Sequence, residues 1–205
     1  IVKIYPKTVY ENTFGTVMIV HEEETDERLK TVEVTPYRTE STYSDNRRPD
    51  EVSFSTDIHL DLQRRDFTMN AFAYNPFKET FIDDYKGQDD LRNRMIRTVG
   101  DPIGRFSEDA LRILRAIRLS VELGCTLSHE TLEGVIHSRE LLNNISWERK
   151  RDEFTKIIMS PDPVLGIGLL KQLGLLPFIL PELEEGIGCE QKGEHIYDVF
   201  EHLLH

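Results

Sequence analysis

Between Gly104 and Leu119 the chain reads Gly-Arg-Phe-Ser-Glu-Asp-Ala-Leu-Arg-Ile-Leu-Arg-Ala-Ile-Arg-Leu, and its polar residues are of the kinds that read a nucleotide. Ser107 is a good N-cap with acids in the turn after it, so a helix is expected to begin there. At about 100° per residue, Ala110, Ile113, Leu114, Ile117 and Val121 share one half of that helix. Glu108, Asp109, Arg112, Arg115 and Arg118 share the other half. Cytosine and adenine each present an amino donor beside a ring-nitrogen acceptor on their pairing edge. Guanine and uracil present a carbonyl acceptor beside an N–H donor. A carboxylate that only accepts, next to a guanidinium that only donates, fits the first pair and mismatches the second. Asp109 and Arg112 have the types and spacing for that, and a site built on hydrogen bonds discriminates strongly. The competing reading is a solvated ladder of Asp–Arg pairs, each worth roughly 0.2–0.5 kcal/mol.

The positions of these residues depend on the elements around them. Residues 1–4, 14–20 and 31–37 read as strands, rich in β-branched and aromatic side chains. Glu33 sits in the third of them, by default a polar residue on an exposed side and alternatively a carboxylate beside a metal. Residues 38–51 have almost no apolar content and read as a long loop of the kind that is functional or disordered. Apolar spacing becomes helical over residues 58–73, which contain Arg64-Arg65-Asp66. A strand, a helix and a short strand close this region. Gly100-Asp101-Pro102 then marks a boundary, and the signal beyond it is helical. Ser128 and Ser146 are expected to cap two of those helices, with Arg149 in the first turn of the second. Residues 186–193 read as a linker and residues 194–205 as the start of a further helix. The fold class expected is α+β, with a mixed-sheet head over 1–100 and an all-helical neck and body over 101–193.

The bulk numbers agree with a chain of one or two domains. It has 205 residues, 39% hydrophobic and 30% charged, with a formal net charge of −12. That charge argues against a generic nucleic-acid binder coated in Lys and Arg, but not against local clusters of Arg. Cys125 and Cys189 form no metal-type pair and read as thiols of a reducing cytoplasm. No apolar run reaches membrane-span length. A start at Ile1 and an end at His205 with no closing signal read as those of a fragment.

With these residues assembled, the chain resembles the class II tRNA nucleotidyltransferases, the CCA-adding family that also includes bacterial poly(A) polymerases. Three motifs carry the resemblance, in family order: Arg64-Arg65-Asp66-Phe67-Thr68-x-Asn70-Ala71, Arg105-Phe106-x-Glu108-Asp109-x-x-Arg112-x-x-Arg115-x-x-Arg118, and Ile145-Ser146-x-Glu148-Arg149. It implies addition of C and A to tRNA 3′ ends from CTP and ATP, without a nucleic-acid template, by metal-dependent nucleotidyl transfer with release of pyrophosphate. It implies base templating by Glu108, Asp109 and Arg112. Arg65 and Asp66 are implied to contact the nucleotide ribose, and Arg115 and Arg118 the nucleotide and its phosphates. Arg105 and Arg149 carry over as interdomain and loop elements, and residues 38–51 as the loop tied to switching from C to A addition.

The family's Gly-Gly turn and Asp-x-Asp pair are absent from the chain. Those carboxylates would hold two Mg²⁺ ions, so the Mg²⁺ ligands are expected mostly outside this chain, with Glu33, a loose match to a third acid near that site, as the catalytic candidate and no metal ligand assigned. The chain as given is therefore expected to bind a nucleotide without turning it over. Residues 195–202 resemble the opening helix of an HD-type domain, whose further ligands are missing, so His202 is expected to be an ordinary helix residue. tRNA is the macromolecular partner implied, no membrane is expected, and a homodimer is left open. The rivals are an A-only or poly(A)-adding relative, a non-catalytic RNA- or nucleotide-binding module, and a phosphohydrolase driven by the HD-like end.

Overall fold

The structure is a computed structural model that describes residues 1–5, 7–11, 15–27, 29–40, 52–190 and 196–204. The expected loop at 38–51 lies mostly outside the described residues, as does His195. The described chain divides between Arg64 and Arg65 into two compact units.

The first unit holds an antiparallel sheet in the order β1-β2-β3, with β1 (Thr8–Glu11), β2 (Thr16–Val20) and β3 (Thr31–Val34). β2 lies in the middle, and its alternation puts Val17 and Ile19 on the buried face. Residues 1–4 form a turn rather than the expected strand, because the Ile4 and Tyr5 N–H groups both return to the Ile1 carbonyl. A hairpin of β4 (Arg38–Glu40) and β5 (Val52–Phe54) and the helix α1 (Ile58–Gln63) complete the unit. Asp57 caps α1 by accepting from the His59 N–H at 2.9 Å.

The helix expected across residues 58–73 stops at Gln63. Asp66 is the reason: its Oδ1 accepts from the Phe67 N–H at 2.8 Å, and Phe67 goes extended at φ −122°, ψ 149° to bridge Thr98. Local side-chain bonding of this kind competes with helix propagation.

The second unit starts there. A 3₁₀ turn at Thr68–Asn70 leads to a hairpin of β6 (Ala73–Asn75) and β7 (Thr80–Ile82), then α2 (Gly87–Arg92) and β8 (Met95–Ile96). α3 (Pro102–Glu108) and α4 (Leu111–Leu123) follow, crossing over to β9 (Thr126–Leu127), which pairs parallel to β8. That pairing holds residues before and after Gly100-Asp101-Pro102 in one compact unit. The body consists of α5 (His129–Ser138), α6 (Trp147–Ile158), α7 (Pro163–Gln172), α8 (Leu176–Ile179), α9 (Pro181–Glu185) and α10 (Val199–Leu204). Ser128 caps α5 as expected, its Oγ accepting from the Thr131 N–H at 3.2 Å. Ser146 holds the N-cap position of α6 but makes no side-chain capping bond.

α4 is apolar on more than one side. Ile113, Leu114, Ile117 and Val121 enter the main core with Phe106, while Ala116 enters a smaller cluster with Phe67 and Ile96. Within residues 196–204, Phe200 of α10 is 2% exposed and belongs to that main core. Asp198 Oδ1 accepts from the Glu201 N–H at 2.7 Å and Oδ2 from the Gly188 N–H at 2.7 Å, which ties the helix back to the segment before it.

Gly87 supports the turn that follows Asp66. A Cβ at this position would stand 2.1 Å from the Thr68 carbonyl oxygen, a backbone atom that cannot rotate away. Gly87→Ala is expected to lower stability by about 2 kcal/mol through overpacking, read as a drop in the thermal midpoint. An unchanged midpoint would mean that α2 can slide off the Thr68–Asn70 turn without cost.

Candidate nucleotide-binding site

The motif region is not one helix. Asp101 caps α3 by accepting from the Gly104 N–H at 2.7 Å, and Pro102 occupies its first turn, so the helix starts five residues before Ser107. Ser107 lies inside α3. Asp109 is extended at φ −147°, ψ 103°, and the chain breaks there before α4 begins at Leu111. The break has a local cause. Asp109 Oδ1 accepts from the Leu111 N–H at 3.1 Å and its carbonyl from the Arg112 N–H at 3.0 Å, so Asp109 serves the donors at the start of α4.

This geometry changes the pairing expected along the helix. Arg112 is directed to Glu108, to which it donates, and to the Arg105 carbonyl, which accepts from Nη1 at 3.1 Å. Arg105 Nη1 donates to the same Glu108 oxygen at 2.8 Å, while its Nε donates to the Val99 carbonyl at 3.1 Å. Glu108 is thus clasped by two guanidiniums, and Arg105 ties α3 to the end of the β8 segment. Asp109 Oδ2 accepts from Arg149 Nη2 at 2.8 Å, bringing the first turn of α6 to the break. Asp109 and Arg112 come to the same short stretch of backbone, each held by a different partner.

Arg115 reaches back to Asp66. Its Nε and Nη2 both donate to Asp66 Oδ2, at 3.0 and 2.6 Å, and Asn70 Nδ2 donates to Oδ1 at 3.2 Å. Asp66 is 9% exposed. Burial pushes its pKa up, but the Arg115 charge and the hydrogen bonds from Asn70, Arg115 and the Phe67 N–H outweigh that, so the carboxyl sits below its usual range. Asp66 is turned inward as an anchor, with both oxygens engaged. Its neighbour Arg65 is half-buried, with Nη1 donating to the Asn70 carbonyl at 3.0 Å.

Arg118 faces the body. Its Nε lies 3.3 Å from Glu153 Oε2 on α6, within ion-pair range, yet both atoms are buried and lack an aligned hydrogen bond. The contact is Coulombic, and it fastens α4 to α6. The ladder on a solvated face is therefore not what forms: the Arg112 and Arg118 side chains are 11% and 14% exposed, and Arg115 is 36% exposed.

Glu33 lies in the first unit, exposed on β3 and opposite Met18 in the register. Among the described residues no group of three or more His, Cys, Asp or Glu is placed to hold a metal ion. The signals that sequence reasoning passed over are the Asp101-Pro102 helix start and the tie from Arg149 to Asp109. The first was readable as a cap followed by proline; the second spans 40 residues and had no local signature.

Residues 3–97 match the family described as "Poly A polymerase head domain", and residues 124–187 match "Probable RNA and SrmB- binding site of polymerase A". The CCA-adding enzyme of Geobacillus sp. (strain WCH70) is 44% identical over 186 residues, which are 90% of this chain and 44% of that protein. The crystal structure of the Bacillus stearothermophilus CCA-adding enzyme in complex with CTP superposes with a TM-score of 0.76 at 36% identity, over 91% of this chain and 44% of that one. The Thermotoga maritima CCA-adding enzyme complexed with tRNA gives 0.67 at 25% identity, over 91% of this chain and 42% of that one. The chain spans less than half the length of the curated relatives it matches. Motifs, fold and relatives agree: the chain belongs to the family of CCA-adding tRNA nucleotidyltransferases and bacterial poly(A) polymerases.

Proposed function

We propose that this chain is the nucleotide-selecting part of an enzyme that adds C and A to tRNA 3′ ends from CTP and ATP. The observation that carries the reading is the placement of Asp109 and Arg112 on one short stretch at the α3–α4 break, where the Arg112 N–H donates to the Asp109 carbonyl at 3.0 Å. Together they supply an acceptor and a donor on neighbouring elements, the complement of the cytosine and adenine pairing edges. Glu108 acts here through Arg112, while Arg65 and Arg115, on either side of Asp66, are the groups assigned to ribose and phosphate. The relatives crystallised with CTP and with tRNA support the same substrates for this chain. The compartment proposed with a tRNA substrate is the cytoplasm. Among the described residues no helix is long and apolar enough to cross a membrane.

Mg²⁺ chemistry does not fit the residues described. Glu33 is a lone candidate, and one carboxylate cannot hold two ions, so no catalytic step is assigned through a metal in this chain. That mismatch favours a second reading for the 205-residue chain taken by itself, a nucleotide- or RNA-binding module without turnover. Nucleotide incorporation by the purified chain would refute that second reading.

The test of the main reading is binding of CTP, ATP, GTP and UTP to the chain and to Arg112→Ala. CTP and ATP are expected to bind about tenfold or more tighter than UTP and GTP, since a mismatched base leaves buried polar groups unpaired. Arg112→Ala is expected to erase that preference. Equal binding of all four by the unsubstituted chain would mean that the Arg cluster is structural. A-only addition within the same family would show as a preference for ATP alone.

A further inference from the structure

α6 has two sides with different tasks. At about 100° per residue, Arg149 and Glu153 fall on the side that meets Asp109 and Arg118, while Trp147, Arg151 and Phe154 share the opposite side. Those three, with Glu148 on α6 and Ile179 and Leu180 at the end of α8, line an open groove of about 450 Å³. The base-reading acid lies across the helix from it.

The groove has a built wall. Lys150 is 8% exposed, and its Nζ donates to the Phe178 carbonyl on α8 at 2.9 Å and stands 4.5 Å from the centroid of the Trp147 ring. One side chain thus ties α6 to α8 and covers one face of the indole with a cation. Trp147 nevertheless stays 58% exposed. A ring already polarised by a cation on one face is a poor partner for a second cation and a good one for a flat, neutral π-system.

The polar groups at the rim narrow the choice of occupant. The Arg151 side chain is 71% exposed, and its contact with Asp152 at 3.4 Å lies in solvent, where such pairs contribute little, so its guanidinium is available to an anion. Glu148 offers a carboxylate that only accepts. An apolar slot with one acceptor and one guanidinium at its edge fits a nucleotide, whose base has apolar faces and N–H donors on its edge and whose phosphate is anionic. The volume is that of a site for one small group, and a docked helix would need anchors along two turns.

We propose that the α6–α8 groove takes one unpaired nucleotide of the RNA substrate, its base stacked on the open face of Trp147 and its phosphate met by Arg151. The proposal rests on the tRNA substrate proposed above.

Trp147 is the single tryptophan of the chain, so intrinsic fluorescence reports on this groove. The experiment titrates the whole chain with a tRNA acceptor-stem duplex carrying an unpaired 3′ overhang and with the same duplex blunt-ended. The overhang RNA is expected to quench Trp147 and to bind on the order of tenfold tighter than the blunt one. Trp147→Leu is expected to remove that advantage and Trp147→Phe to keep most of it. Arg151→Gln is expected to lower the salt slope of overhang binding by about one charge. All three variants should melt close to the unsubstituted chain, because both side chains are mainly exposed. An overhang preference that survives in Trp147→Leu would overturn the proposal, as would equal quenching by both RNAs. Quenching that grows with protein concentration in the absence of RNA would also overturn it, assigning the groove to a second copy of this chain. Failure of both RNAs to bind the unsubstituted chain would instead remove the tRNA reading on which the proposal rests.

Discussion

Replacing Phe106 by Ala is expected to cost about 3–5 kcal/mol of stability, within the range for deleting a buried aromatic ring. Phe106 is fully buried in the main core, in the middle of a helix only seven residues long. A helix that short has little stability of its own and depends on packing. The packing partner is α5, which approaches so closely that a Cβ on Gly134 would lie 2.5 Å from Pro102 Cβ and 3.2 Å from Phe106 Cε2. Glycine is needed there for closeness, and the ring fills the space beside it. The loss should reach the site, because α3 also carries Arg105 and Glu108, which together hold Arg112. Denaturant unfolding at neutral pH measures the first effect and CTP binding the second. A loss below about 1 kcal/mol would show that neighbouring side chains collapse into the vacated volume, contrary to the close packing described.

The second large effect concerns Asp66. Arg115→Met removes its charge partner and leaves a carboxylate 9% exposed with only neutral donors. Removing one partner of a fully buried pair costs about 3–5 kcal/mol. Arg115 itself is 36% exposed, and solvent screening brings the expectation down to about 2 kcal/mol. The pH dependence follows from the direction of the shift. The folded-state pKa of Asp66 is depressed, so its stabilisation is present above the unfolded value of about 3.9 and is lost as pH falls through the lower folded value. In Arg115→Met, burial acts without the Arg charge and pushes the carboxyl up, so protonation on lowering the pH relieves the buried charge and that variant loses less stability than the unsubstituted protein. The gap between the two proteins should be widest near pH 7 and narrow below about pH 4, where the carboxyl protonates in both. Urea unfolding at both ends of that range checks it. A gap that does not change with pH would place the effect in packing of the Arg115 stem rather than in the ion pair.

Much of this was legible in the chain itself, for a reason that can be stated element by element. The Ser128 cap, the helical apolar spacing after residue 110 and the β-branched run of β3 are local rules acting within a few residues. The Asp101-Pro102 start was legible too, and the weaker signal of Ser107 was preferred over it. Asp109 shows where local reading fails by one degree of detail: an acid that looks like first-turn decoration is itself the break, because its carboxylate serves the Leu111 N–H.

The Arg, Asp and Glu residues of the motifs, their order and the family they belong to were set by sequence alone, as was the α+β class. Which oxygen each arginine meets was decided only by tertiary structure. Arg115 meets Asp66 across 49 positions and Arg149 meets Asp109 across 40, distances at which periodicity and capping carry no information. Guanidiniums beside several carboxylates have many pairings of similar energy in an exposed chain. Burial narrows that degeneracy: the packing of α4 between two apolar clusters leaves each charge few partners within reach, and an unpaired one would be strongly unfavourable.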